Sequence, residues 1–150
     1  MEIINEEGKV VQKDGGLVGL LEGTLEFMLG AGQLDKVDPD DEVVRAARRK
    51  MLREEIKEYF DAEDDNDLRE QIDGLLDIIV VAWGSILSKI PAQAAMQIAS
   101  IVAESNLAKR WPDGEYHKNE WGKVIKHESW KEQHDPGPKI DRILEELNLL

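Results

Sequence analysis

The sequence contains no cysteine, which excludes disulfides and thiolate zinc sites outright. A reducing, cytoplasmic setting is the easier reading of such a chain. Basic residues are the minority, with 19 Lys and Arg against 32 Asp and Glu and a formal net charge of −13. Affinity for nucleic acid comes largely from neutralising phosphates with Lys and Arg, so no nucleic acid polymer is expected as a partner. The basic residues between Lys109 and Lys139 stand among nearly as many acids and make a mixed surface. Long apolar runs are also lacking. The most apolar stretch, Gly74 to Leu87, is too short to span a bilayer and carries Asp77 inside it, so no membrane association is expected. The segment from Met1 to Glu7 lacks a positive leader and an apolar core, and no signal peptide is expected.

What is present is enough for one domain. The chain has 150 residues, of which 41% are hydrophobic and 34% charged, too apolar for a disordered chain. A chain of this size buries about 70% of the surface it exposes when unfolded. The sequence has no internal repeat, no low-complexity tract and no dividing linker.

Glycine and proline mark the stops, and the segments between them read as helices. Leu17, Leu20, Leu21, Leu25 and Met28 recur at helical spacing before Gly30-Ala31-Gly32 ends the run. Asp38-Pro39 reads as a start signal, with Asp38 as the cap and Pro39 at the first helical position, and a long helix is predicted from there to about Ala62. The acids from Asp61 to Asn66 read as a loop. A third helix is predicted from about Asp67 to Ser88, a fourth from Pro91 to Lys109 or Arg110, and a short last one over Ile140, Ile143, Leu144 and Leu147. Between Asp113 and Pro138, Gly114, Gly122, Pro136, Gly137 and Pro138 break the chain repeatedly, which predicts a short hairpin or ordered loop. The predicted class is all-α, a helical bundle of four to five helices in one domain over residues 1–150.

Function begins with a contradiction in the second helix. At 100° per residue, Val44, Ala47 and Met51 share one direction, and Glu55 and Glu58 lie in that same direction, with Glu54 at its edge. A stripe that faces the core thus turns acidic where burial would cost a lone carboxylate several kcal/mol. Arg45, Arg49, Arg53 and Lys57 occupy other faces, so these glutamates do not read as routine i,i+4 surface pairs. In the third helix Leu68, Ile72, Leu75, Leu76, Ile79, Trp83 and Ile86 make one broad apolar face, and Val80, Val81 and Gly84 cover much of the rest. Such a helix is a central one. Asp77 sits in its middle with Asp73 one turn before it, two carboxylates that repel each other and, if buried, need a cation. Carboxylates projecting inward from two neighbouring helices form an oxygen-only cluster suited to Mg²⁺ or Mn²⁺. Glu63, Asp64 and Asp65 read as a solvated acidic surface.

The run Arg53-Glu54-Glu55-Ile56-Lys57-Glu58, followed by Asp73-Gly74-Leu75-Leu76-Asp77 and the apolar run to Gly84, resembles the all-α nucleoside triphosphate pyrophosphohydrolases, the MazG-like and phosphoribosyl-ATP pyrophosphohydrolase-like group. That group's signature is EExxE on one helix and ExxD on the next. Glu54, Glu55 and Glu58 match the first half. Glu70-Gln71-Ile72-Asp73 matches the second half literally, but the apolar run and glycine that should follow the aspartate come after Asp77, where the glutamate position is Gly74. Asp73 and Asp77 are taken as the metal-facing pair, with Glu70 in reserve. Ser105-Asn106-Leu107-Ala108-Lys109 resembles the SNxxK segment of one branch, and Gly122-Lys123-Val124-Ile125-Lys126 its GKxxK element. Glu26-Phe27-Met28 also fits, and the likeness covers roughly residues 17–130.

The resemblance implies hydrolysis of a nucleoside triphosphate or related nucleotide to the monophosphate and pyrophosphate. It implies Mg²⁺, with Mn²⁺ as a substitute, held by Glu55, Glu58, Asp73 and Asp77, with Glu54, Glu55 and Glu58 as the catalytic residues; the attacking water is either metal-bound or deprotonated by a spare carboxylate such as Glu54. Lys109, Lys123 and Lys126 would meet phosphate and Asn106 sugar or base, although an Asn near a helix end also serves as a cap. Trp111, Trp121 and Trp130 could cover the base or simply pack. His117, His127 and His134 form no HExxH pattern and are assigned no metal, and Gly15 to Gly19 lacks the GxxxxGK[ST] of a phosphate loop. Oligomerisation is expected, since one helical layer cannot shield Leu75 to Leu87 on every side, and the resemblance implies a homodimer or homotetramer. The rival class is a non-catalytic acidic helical module that binds a basic partner, or a relative that only binds a nucleotide. Inward convergence of Glu55, Glu58 and Asp77 favours the enzyme, and a solvent-facing arrangement favours the module.

Overall fold

The computed structural model describes residues 3–4, 10–12 and 15–150. The segment from Met1 to Glu7, considered above for a leader, lies outside the described residues apart from the strand Ile3–Ile4. Helices dominate, and the chain is all-α as the periodicity predicts. Among the described residues the strands are limited to two short antiparallel ribbons, and no helix is long and apolar enough to cross a membrane. The chain divides into two units, Met1–Ala92 and Gln93–Leu150.

The first unit holds the ribbon of β1 (Ile3–Ile4) and β2 (Val10–Gln12), then α1 (Gly16–Gly30), α2 (Glu42–Asp64) and α3 (Leu68–Leu87). α1 stops at a turn in which Gly32 takes φ +71°, a conformation that favours glycine, while the Gln33 amide donates to the Met28 carbonyl at 2.9 Å. Asp38 does not cap α2 as expected. Its carboxylate accepts from the Asp40 amide in a tight turn, and Asp41 is the cap, accepting from Val43 and Val44. Two acids so close in sequence can each bond to local amides, and the one whose carbonyl already starts the helical ladder takes the cap. The predicted acidic loop is also shorter than expected. α2 runs on to Asp64, supported by the Lys57–Asp61 pair at 2.6 Å and the Tyr59 hydroxyl on Glu63, both at i,i+4.

Only Asp65, Asn66 and Asp67 join α2 to α3, and a link this short makes the two helices antiparallel neighbours. Contacts run in opposite chain order along them. The Gln71 side-chain amide donates to the Ala62 carbonyl, Gly74 lies against Tyr59, and Gly84 lies against Arg48. A Cβ at Gly74 would stand 3.4 Å from the Tyr59 Cα, so the missing side chain sets how closely the helices approach. α1 packs on α3 as well, which makes α3 the central helix of this unit.

The buried side of α3 is not the predicted one. Gly74, Val81, Gly84 and Leu87 are buried, whereas Leu68 is 70% and Ile72 52% exposed, and Leu75, Leu76 and Ile86 are exposed too. Small residues let the neighbouring backbones close in, so the packed side follows Gly74, Val81 and Gly84, and the larger aliphatic residues are left outside.

The second unit carries most of α4 (Ala92–Leu107), then β3 (His117–Lys118), β4 (Val124–Ile125), α5 (Trp130–His134) and α6 (Gly137–Glu146). The predicted hairpin is β3–β4. Its turn is held by the Asn119 side chain, which accepts from the amides of Trp121 and Lys123. The helix α5 inside the segment expected to be irregular is anchored by Trp130, which is 5% exposed and donates its indole N–H to the Ser105 carbonyl at 3.0 Å.

Candidate functional site

The α2–α3 hairpin brings the predicted carboxylates toward one another, with a different phase from the one expected. The side of α2 turned inward carries Val44, Arg48, Leu52, Glu55, Ile56, Tyr59 and Ala62, while Ala47, Met51 and Glu58 are exposed. Leu52, Ile56 and Tyr59 set this direction because they have more apolar surface to bury than Ala47 and Met51. Glu55 belongs to both stripes. Glu58 does not, and it faces solvent. Glu54 is exposed and makes the i,i+4 surface pair it was expected to avoid, 3.8 Å from Lys50. On α3, Asp77 is half-buried and Asp73, one turn before it, is exposed. Glu70 is exposed as well and pairs with Arg69 at 2.8 Å.

Glu55 is the electrostatic centre of this group. Its Oε2 is shielded from solvent and has no hydrogen-bond partner among the described residues. Burial raises its proton affinity most, followed by the charges of Asp77, Glu58, Glu54 and Asp73. Burial also raises Asp77, with Asp73 as the second cause. Four acids therefore act on Glu55, and no cation is among the causes that set Glu55 or Asp77.

Carboxylate oxygen is the donor type that a hard divalent cation takes. The donors are all carboxylate oxygens, one of them is buried and unpartnered, and their mutual repulsion is what a doubly positive ion would relieve. Among the described residues no three His, Asp or Glu side chains already converge as ligands. Glu58 and Asp73 face solvent, so completing a ligand set around Glu55 and Asp77 takes a change of rotamer on exposed side chains.

In the second unit, three of the four residues assigned to substrate come together at Trp130. The Lys109 ammonium donates to the Asn106 Oδ1 at 2.7 Å, and Lys109 and Lys126 stand 5.6 and 4.3 Å from the Trp130 ring centre. Asn106 is thus a partner of Lys109. Lys123 lies in the hairpin turn, held there by its backbone. Trp130 is a packing residue, Trp121 is 83% exposed, and Trp111 stacks flat on His117 at 4.1 Å. His117 in turn holds Asp113 at 2.7 Å. The Glu115 amide and then His117 keep the Asp113 carboxyl below its ordinary range. A cavity of about 100 Å³ between α4 and α6, lined by Ile101, Ser105 and Lys139 among others, is too small for a nucleotide.

Sequence reasoning missed Arg48, the one cation on the inward side of α2. The signal was available: Val44, Arg48 and Leu52 recur every four residues, which is as good a stripe as the one chosen. No family model, curated protein or solved structure matches this chain.

Proposed function

We propose that this chain is a Mg²⁺-dependent nucleoside triphosphate pyrophosphohydrolase, of the kind its EExxE segment resembles. The observation that carries the reading is Glu55, a carboxylate with a buried, unpartnered oxygen, facing Asp77 across the helical hairpin under the field of three further acids. A carboxylate oxygen shielded from water without a partner is costly to keep ionised, and a bound cation would offset that cost. Glu55 and Asp77 would hold the metal, with Glu58 and Asp73 turning in to complete it. Once bound, Mg²⁺ neutralises phosphate oxygens and makes the α-phosphorus easier to attack. Glu54, exposed beside this group, takes a proton from the attacking water. The water oxygen bonds to the α-phosphorus, the bond to the bridging oxygen breaks, and pyrophosphate leaves with the electron pair. Asn106, Lys109, Lys123 and Lys126 remain assigned to the nucleotide, the first two already in contact and Lys126 beside the same Trp130 ring.

Self-association as a homodimer or homotetramer belongs to this reading, with Leu68, Ile72, Leu75 and Leu76 as the face that a second copy would cover. The rival reading is a non-catalytic acidic module, and it is favoured by the exposure of Glu54, Glu58 and Asp73. The test incubates the full chain with Mg²⁺ and a panel of ribo-, deoxyribo- and modified nucleoside triphosphates and measures pyrophosphate. Release that depends on Glu55 and Asp77 supports the enzyme. No release from any member of the panel would leave the acidic module.

A further inference from the structure

Arg48 occupies a place that the carboxylate chemistry does not use. Its guanidinium lies half-buried inside the first unit, reached from α2 toward both α1 and α3. Nη2 stands 3.3 Å from the Gln33 Oε1 and 3.8 Å from the Met28 sulfur, and both of these partners are neutral. Among the described residues no carboxylate forms an ion pair with it, whereas Lys50 and Lys57 on the same helix have theirs. Burial pulls its proton affinity below the usual guanidinium range, yet arginine does not shed its charge in proteins. Room is made for it: a Cβ at Gly84 would stand 2.7 Å from Nη1, so this guanidinium lies over a position with no side chain. Five N–H donors in a planar fork, held by neutral neighbours in a partly desolvated place, suit an oxyanion better than any group they now touch.

The position relative to the acids gives the anion a class. Arg48 and Glu55 lie on the same inward side of α2 and are two helical turns apart, about 10 Å along the axis. Opposite them on α3, Gly84 and Asp77 are separated by the same number of residues. Arg48 and the two acids thus stand on one side of α2 with a spacing within the length of an extended nucleoside triphosphate. We propose that Arg48 binds the terminal phosphates of a polyphosphate substrate whose reacting phosphate lies at Glu55 and Asp77. This rests on the pyrophosphohydrolase reading for its substrate, and on Arg48 alone for its anion site.

The test is calorimetric titration of the full chain with inorganic tripolyphosphate in Mg²⁺ buffer, comparing wild type, Arg48→Gln and Arg48→Lys, with circular dichroism to confirm folding. Loss of a charge-assisted bidentate contact should weaken binding about ten- to a hundredfold in Arg48→Gln. Arg48→Lys, which keeps the charge without the fork, should fall between the two, and it carries the test if Arg48→Gln does not fold. The stabilisation by Mg²⁺ alone should be the same in all three proteins. Equal tripolyphosphate binding in wild type and variants, or none in wild type, overturns the assignment. If binding depends on Arg48 but wild type releases no pyrophosphate from any nucleotide, the hydrolase reading fails and the anion site stands.

Discussion

Glu55→Gln removes one charge from the middle of the α2–α3 hairpin and leaves the shape of the side chain unchanged. In the native chain Oε2 has no partner among the described residues, and burial together with four neighbouring acids opposes its ionisation. A buried polar group without a partner costs about 1–3 kcal/mol, and Gln keeps the neutral part of that cost while losing the charge. Glu55 keeps part of its surface in water, which screens it from the other acids, so the gain on neutralising it is placed at the lower end, about 1 kcal/mol. For a chain of this length that is a rise in Tm of about 2–4 °C. The assay is a pair of thermal melts at pH 7 and low salt with a chelator, and Glu58→Gln serves as the control. Glu58 is exposed, so its variant should stay within about 0.5 kcal/mol of wild type. With Mg²⁺ present the order should reverse, since wild type gains the ion and Glu55→Gln binds it poorly. A clear loss of stability in metal-free Glu55→Gln would refute the reasoning, because it would mean that the carboxylate is held by a stabilising partner and not strained by its neighbours.

Three further outcomes are expected. Asp77→Asn should abolish pyrophosphate release while leaving the metal-free fold as stable as wild type or more so, and a marked fall in its melting temperature would contradict the burial argument. Mg²⁺ or Mn²⁺ should raise the melting temperature of wild type by about 2.7 kcal/mol of stabilisation at a hundredfold excess over Kd; no shift at saturating metal, with or without nucleotide, would show that the site is misread. The pH dependence follows from Glu55 and Asp77, whose folded-state proton affinities lie above the ordinary 4.5 and 3.8. The native state therefore holds protons that the unfolded chain gives up, and stability from these two groups is lost as pH rises from those ordinary values through the raised ones. Asp38 and Asp113, which are displaced downward, act in the opposite sense. The difference between wild type and Glu55→Gln isolates the effect. Melts of the two proteins from pH 4 to pH 7 should diverge as pH rises, and parallel curves would count against it.

Helical periodicity and end signals made the elements legible. The 20 residues of α3 lie between Asp67 and Ser88, the limits predicted, because a capping side chain and the end of an apolar run are local facts. Asp41 as the cap of α2 was not legible, since Asp38 offers the same chemistry three residues earlier and only the path of the chain separates them. The α5 helix was hidden among glycines and prolines because what holds it is Trp130 reaching the Ser105 carbonyl, a bond across the chain that no local pattern records.

The sequence by itself determined that acids would stand on two successive helices, and its spacing grouped Glu55 with Glu58 and Asp77 with Asp73 without separating the shielded member of each pair from the exposed one. Tertiary structure alone decided the rotation of those helices about their axes. A periodicity of 3.6 residues allows several neighbouring stripes, and the one turned inward was chosen by the apolar surface of Leu52, Ile56 and Tyr59 together with the close approach of α3 at Gly74 and Gly84, which no single helix specifies. That rotation kept Glu55 inside, put Glu58 in water and brought Arg48 in beside Gly84.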